Sequence, residues 1–98
     1  MATDVQGSVY IIHLHHPLAH ARHYVGWASD VEARVARHRS GNGSKLMAAV
    51  GQAGIPWEVA RIINGATRAD ERRIHNSHAT AAFCPVCAAE RGMKLREL

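Results

Sequence analysis

A chain of 98 residues with 47% hydrophobic content suits one small domain, near the lower limit for a core that closes unaided. Only five aromatic residues are present, so Ala, Val, Ile and Leu must fill that core. The net charge is +4 and ten of the twelve cations are arginine, whose planar fork grips phosphate; a GC-rich genome is the competing origin of that bias. No stretch approaches the roughly 20 apolar residues of a membrane-spanning helix, and Met1-Ala2-Thr3-Asp4 is too polar to start a signal peptide. Two cysteines in a single Cys-x-x-Cys pair exclude a disulfide framework, so a reducing cytoplasm is the expected location.

Val9 to Leu14 is β-branched and aromatic and reads as a strand buried on both faces. Residues 15–20 are expected to break it, because Pro17 removes a backbone donor and favours a turn. Arg22 to Trp27 resumes as a second strand across a long connection, with Gly26 marking a close backbone approach or a positive φ. Ser29-Asp30-Val31-Glu32 reads as a capping box opening a helix through Val31, Val35 and Ala36, with Arg37 and Arg39 toward solvent. Ser40-Gly41-Asn42-Gly43 stops that helix, and Ser44 caps a second one over Lys45 to Gln52. Ile55 to Ile63 reads as a third strand, Asn64-Gly65 as a turn, and Thr67 with Asp70-Glu71 as the start of a helix reaching about His75. A short helix after Pro85 completes the pattern. The expected fold class is α/β, a small sandwich in which a mainly antiparallel three-stranded sheet is flanked by helices. Residues 1–98 form one domain, with a core at about 8–78 and a loosely packed tail at 79–98.

Several of these residues carry chemistry. Tyr10 and Tyr24 lie on adjacent strands and can present two phenols to one cleft; a free phenol has a pKa near 10 and acts as a base only when cations or metal-bound water lower it. Arg34 and His38 are four residues apart and project from one helical face. Arg34 sits at the rim of the buried stripe, where a half-buried guanidinium needs an anion. His38 can bond a phosphate or the Tyr10 hydroxyl. Glu71 is the best-placed carboxylate, with Asp70 and Glu58 as competitors. The ordered set Ser8-Val9-Tyr10, Tyr24-Val25-Gly26, the Gly26-Trp27-Ala28-Ser29-Asp30 junction, Arg34-x-x-x-His38 and Glu71-Arg72-Arg73-Ile74-His75 resembles the GIY-YIG nuclease superfamily over about residues 8–76. The tail Phe83-Cys84-Pro85-Val86-Cys87 resembles a small stand-alone bacterial and phage subgroup. The chain departs from the family pattern at Ser8, where the first motif has glycine, and at His75, where lysine is common. Asn76 is the sole candidate for the asparagine that many members carry well after the glutamate.

The resemblance implies a metal-dependent endonuclease that hydrolyses DNA phosphodiester bonds by a one-metal mechanism. It implies catalytic roles for Tyr10 as general base, Tyr24 in positioning, and Arg34, His38 and Glu71, with Glu71 anchoring Mg²⁺ or Mn²⁺ and products ending in 5′-phosphate and 3′-hydroxyl. Gly26, Arg37, Arg39, Lys45 and Arg72 are the expected nucleic-acid contacts. DNA is the expected partner, with a targeting protein or a second copy of the chain selecting the site, and no membrane. The alternatives are a non-catalytic nucleic-acid-binding module and a zinc-stabilised interaction domain. For the latter, His75 and His78 would join Cys84 and Cys87 as Zn²⁺ ligands; because that spacing fits no zinc finger, packed or reducible thiols are expected instead. The histidines at 13, 15, 16, 20 and 23 are also available but read as hairpin surface.

Overall fold

The computed structural model describes residues 7–98; the polar start at Met1 to Asp4 lies outside the described residues. Three strands, β1 (Ser8–Leu18), β2 (Ala21–Ala28) and β3 (Trp57–Asn64), form one antiparallel sheet in the order β2-β1-β3. Helices α1 (Val31–Arg39) and α2 (Lys45–Gln52) follow β2, and α3 (Arg68–Asn76), α4 (Thr80–Phe83) and α5 (Pro85–Arg91) follow β3. The expected α/β sandwich is therefore the fold. No helix among the described residues is long and apolar enough to cross a membrane.

β1 is the central strand, and every residue from Val9 to Leu14 is buried. Alternation divides it between two cores. Tyr10, Ile12 and Leu14 pack with Ala28, Met47 and Val50 on the side of α2. Val9 and Ile11 pack on the other side with Trp27, Ile74, Phe83, Cys84 and Cys87, which brings in α3, α4 and α5.

Three local expectations are corrected. Residues 15–18 do not break β1: it runs through Pro17 to Leu18, and the connection to β2 is a tight turn in which Ala19 adopts φ 53°. Pro17 is accommodated because pairing with β2 is irregular between His13 and Leu18, so no ladder bond is required of it. The N-cap of α1 is Asp30 rather than Ser29; its carboxylate accepts the Ala33 N–H, which makes Ala33 the third helical residue and leaves Glu32 outside any capping box. The capping box lies instead at α3, between Thr67 and Asp70.

The tail is the fourth correction. Phe83, Cys84, Cys87 and Ala88 are buried, and Arg61 on β3 donates to the carbonyls of Phe83 and Arg96 and to the Glu97 carboxylate. Arg96 N–H closes back on the Ala82 carbonyl. Residues 79–98 thus complete one face of the sheet, because the odd-numbered β1 side chains need a second apolar layer that α3 alone does not supply.

Candidate functional site

Register decides which side chains meet. Tyr10 stands opposite Gly26 and Ile12 opposite Tyr24, so Tyr10 and Tyr24 are diagonal neighbours on one face, with ring centroids 6.1 Å apart. A Cβ on Gly26 would lie 2.4 Å from the Tyr10 hydroxyl oxygen, so the glycine clears the place that the phenol occupies. Gly26 was expected among the nucleic-acid contacts; it is buried, and its observed role is this close approach.

α1 closes the group from above. His38 is its one buried residue, and its Nε2 lies 2.8 Å from the Tyr10 hydroxyl. The imidazole also meets Tyr24 edge-on, at 5.0 Å between centroids. Of the two partners open to His38 in the sequence, the Tyr10 hydroxyl is the one it bonds. Its Nδ1 is buried with no hydrogen-bond partner and faces Gly43, where a Cβ would come within 2.0 Å. Gly43 therefore does more than stop α1: it makes room for the buried His38 ring, a role with no signal in the sequence beyond the glycine itself.

Electrostatics follow from this burial. Tyr10 is fully buried, and its pKa is pushed well above the usual tyrosine value by desolvation first and Tyr24 second, against the charge of the Arg34 guanidinium, which lowers it. By itself Tyr10 therefore holds its proton, contrary to the lowered pKa that a base requires. His38 is held neutral by burial, then by Arg34 and Arg37. The structure thus assembles Tyr10, Tyr24 and His38 into one contact group, with the Arg34 charge acting on Tyr10 and His38.

Glu71 sits half-buried in the first turn of α3, three residues before Ile74, which packs into the core on the opposite face of the sheet from Tyr10. Among the described residues no salt bridge or side-chain hydrogen bond engages its carboxylate, whereas Asp70 is used in the cap and beside Arg73, and Glu58 pairs with His15. Arg37, Arg39, Lys45 and Arg72 are exposed, with the Arg39 guanidinium 4.0 Å from the Trp57 ring centroid. Asn76 is exposed at the end of α3.

A second cluster lies on the other face. His13 is opposite His23 in register, and both point toward Cys84 and Cys87, so that four ligand atoms lie within 4.8 Å of one another. His13, Cys84 and Cys87 are buried and His23 is half-buried. This nitrogen–sulfur set can hold a metal ion, and its softness suits zinc rather than magnesium. The expected partners His75 and His78 are both exposed and outside the cluster. His13 and His23 are correspondingly not hairpin surface: both face the cysteines, while His15 and His16, farther toward the turn, stay exposed. Both imidazoles are held neutral, His23 with a pKa lowered to about 4, chiefly by burial. Burial, and then Cys84, pushes the Cys87 thiol up.

Comparison of the chain with family models, with curated proteins and with solved structures finds no match.

Proposed function

We propose that this chain is a GIY-YIG-type endonuclease that hydrolyses phosphodiester bonds in DNA, using Mg²⁺ or Mn²⁺ held by Glu71. The observation that carries the reading is the buried Tyr10–His38 hydrogen bond, with Tyr24 against the imidazole and Arg34 acting on the phenol. A sheet that only scaffolds a domain has no need of a buried phenol bonded to an imidazole under the influence of a guanidinium. The sequence resemblance assigns these same residues to the reacting phosphate.

In this reading each group has a distinct task. Arg34 carries the fixed positive charge toward which the phosphate oxygens turn as charge builds in the transition state. His38, kept neutral, holds the Tyr10 hydroxyl at a set angle and can exchange a proton with it through Nε2. Tyr24 is half-buried and stands between that pair and the approaching strand. Glu71, in the first turn of α3, would hold the divalent cation, which would supply Lewis-acid charge to the phosphate. The exposed Arg37, Arg39, Lys45 and Arg72 give non-specific attraction to the phosphate backbone.

The full burial and raised pKa of Tyr10 favour a second reading, a non-catalytic nucleic-acid-binding module with the same surface. Incubating the purified protein with supercoiled plasmid and with branched DNA, with and without Mg²⁺, separates the two. The nuclease reading expects Mg²⁺-dependent nicking that Glu71→Gln nearly abolishes while DNA affinity is retained. Binding without cleavage under every metal condition selects the module instead.

A further inference from the structure

We propose that His13 Nδ1, His23 Nε2, Cys84 Sγ and Cys87 Sγ are the four ligands of a structural zinc ion that clamps the β1–β2 hairpin to the start of α5. Three observations carry this, and none depends on the nuclease reading.

The first is the set of interatomic distances. Zinc bonds of about 2.0–2.1 Å to nitrogen and about 2.3 Å to sulfur, set at tetrahedral angles, require edges of about 3.3 Å for N–N and about 3.6 Å for N–S. The structure has 3.3 Å between the two imidazole nitrogens. Its N–S separations are 3.5 Å from His13 to Cys84, 3.6 Å from His13 to Cys87 and 3.3 Å from His23 to Cys87. These match four of the six edges of one tetrahedron, and the other two, His23–Cys84 and Cys84–Cys87, are within 4.8 Å.

The second is that hydrogen bonding accounts for only part of the arrangement. His13 Nδ1 approaches His23 Nε2, Cys84 Sγ and Cys87 Sγ together. A ring nitrogen has one in-plane lone pair or one proton, so thiol hydrogen bonds from Cys84 to His13 and from Cys87 to His23 would use up both nitrogens and still leave two acceptor nitrogens facing each other at 3.3 Å. A cation at the common centre satisfies all four atoms at once.

The third is how the ligands are delivered. His13 and His23 face each other across the β1–β2 ladder, while Cys84 immediately precedes α5 and Cys87 lies in its first turn. Segments 61 or more residues apart in sequence are thus brought to one point. With four protein ligands, three of them buried, no position remains for substrate or a reactive water, which makes the role structural. Binding displaces the two thiol protons to solvent, so the dithiolate neutralises the dication. Because His23 and Tyr24 are adjacent on β2 and point to opposite faces, the clamp also braces the strand that carries Tyr24.

The test is metal analysis of the full chain purified under reductant without added metal, paired with cobalt substitution. One zinc per chain is expected, with a melting temperature that falls on chelation and recovers when zinc is restored. Cobalt added to chelated protein should give the intense visible bands of a tetrahedral site and a thiolate-to-cobalt charge-transfer band. Cys87→Ser should lose the metal, and the double variant H75A/H78A should keep it. Should Cys87→Ser fail to fold, the cobalt spectrum of the unaltered chain still decides. Zinc far below one per chain with an unchanged melting temperature, an octahedral cobalt spectrum, or a Cys84–Cys87 disulfide in the freshly purified chain would each overturn the proposal.

Discussion

Tyr10 and His38 keep their positions because two glycines leave room for them. A methyl group at residue 26 would overlap the Tyr10 phenol, and one at residue 43 would overlap the His38 ring, and both rings are buried with no space to retreat. Gly26→Ala and Gly43→Ala should therefore each destabilise the protein by about 1–3 kcal/mol, the usual range for overpacking. Gly51→Ala is the control: its Cβ meets nothing within 4 Å, it lies in α2, and the change should stabilise by about 0.5–1 kcal/mol. Denaturant melts of the three variants test this, and a Gly43 variant as stable as the parent would mean that the imidazole can leave its pocket freely. Arginines on α1 should separate in the same spirit. Arg34 is half-buried and acts on the Tyr10 hydroxyl, while Arg37 and Arg39 are exposed. On the proposed function, Arg34→Ala should lower the cleavage rate by about 100-fold or more, as loss of a transition-state donor does. Arg37→Ala and Arg39→Ala should mainly weaken DNA affinity and reduce its salt dependence. Equal rate losses for all three would reduce α1 to a binding surface.

At the scale of elements, the start of α1 distinguishes two neighbouring caps. Asp30 makes the capping hydrogen bond at 3.0 Å, and Ser29 and Glu32 are exposed beside it. Asp30→Ala should cost about 1 kcal/mol, with Ser29→Ala and Glu32→Gln within about 0.5 kcal/mol of the parent. On the proposed function, because α1 positions both Arg34 and His38, the Asp30 variant should also lose cleavage activity in proportion to its fraying. Thermal melts that rank Ser29→Ala as the damaging change would restore the serine cap. The tail follows the same reasoning. Arg61 is tied to Phe83, Arg96 and Glu97, and Phe83 fills the core beside Ile74 and Trp27, so α4 and α5 belong to the fold's second layer.

For the whole molecule, buried ionisable groups set the pH range of stability. His38 binds a proton less readily when folded, since burial, Arg34 and Arg37 oppose its cation. As pH falls below the ordinary histidine value of 6.5, the unfolded chain takes up this proton first, and the stability that His38 contributes above that value is lost. Tyr10 acts at the other end. Its raised pKa means that the folded chain retains a proton the unfolded chain releases above pH 10, so stability falls again as pH rises past that point. Denaturant midpoints should therefore decline from about pH 7 toward pH 5, and His38→Gln should flatten that decline. An acid slope that is identical in parent and variant would show that other groups, such as carboxylates and the remaining buried histidines, carry it.

Local pattern in the sequence determined the three strands, the helices apart from α4 and the antiparallel α/β class, because β-branched apolar runs, the Ser44 and Thr67 caps and the glycine stops act over a few residues. It also placed Arg34 with His38, since a four-residue spacing on a helix is a local fact. What it could not determine was pairing across long sequence separations. That His13 joins Cys84 and Cys87, while His75 and His78 stay in solvent, depends on which face of β1 meets α5. A one-residue change of register would turn His13 toward Met47 and Tyr10 toward the thiols, with every local signal unchanged. The burial that raises the Tyr10 pKa and leaves His38 Nδ1 without a partner likewise arises only when α1 closes over the sheet. Spacing along a chain fixes which residues share a face; only the packed layers decide what each face meets.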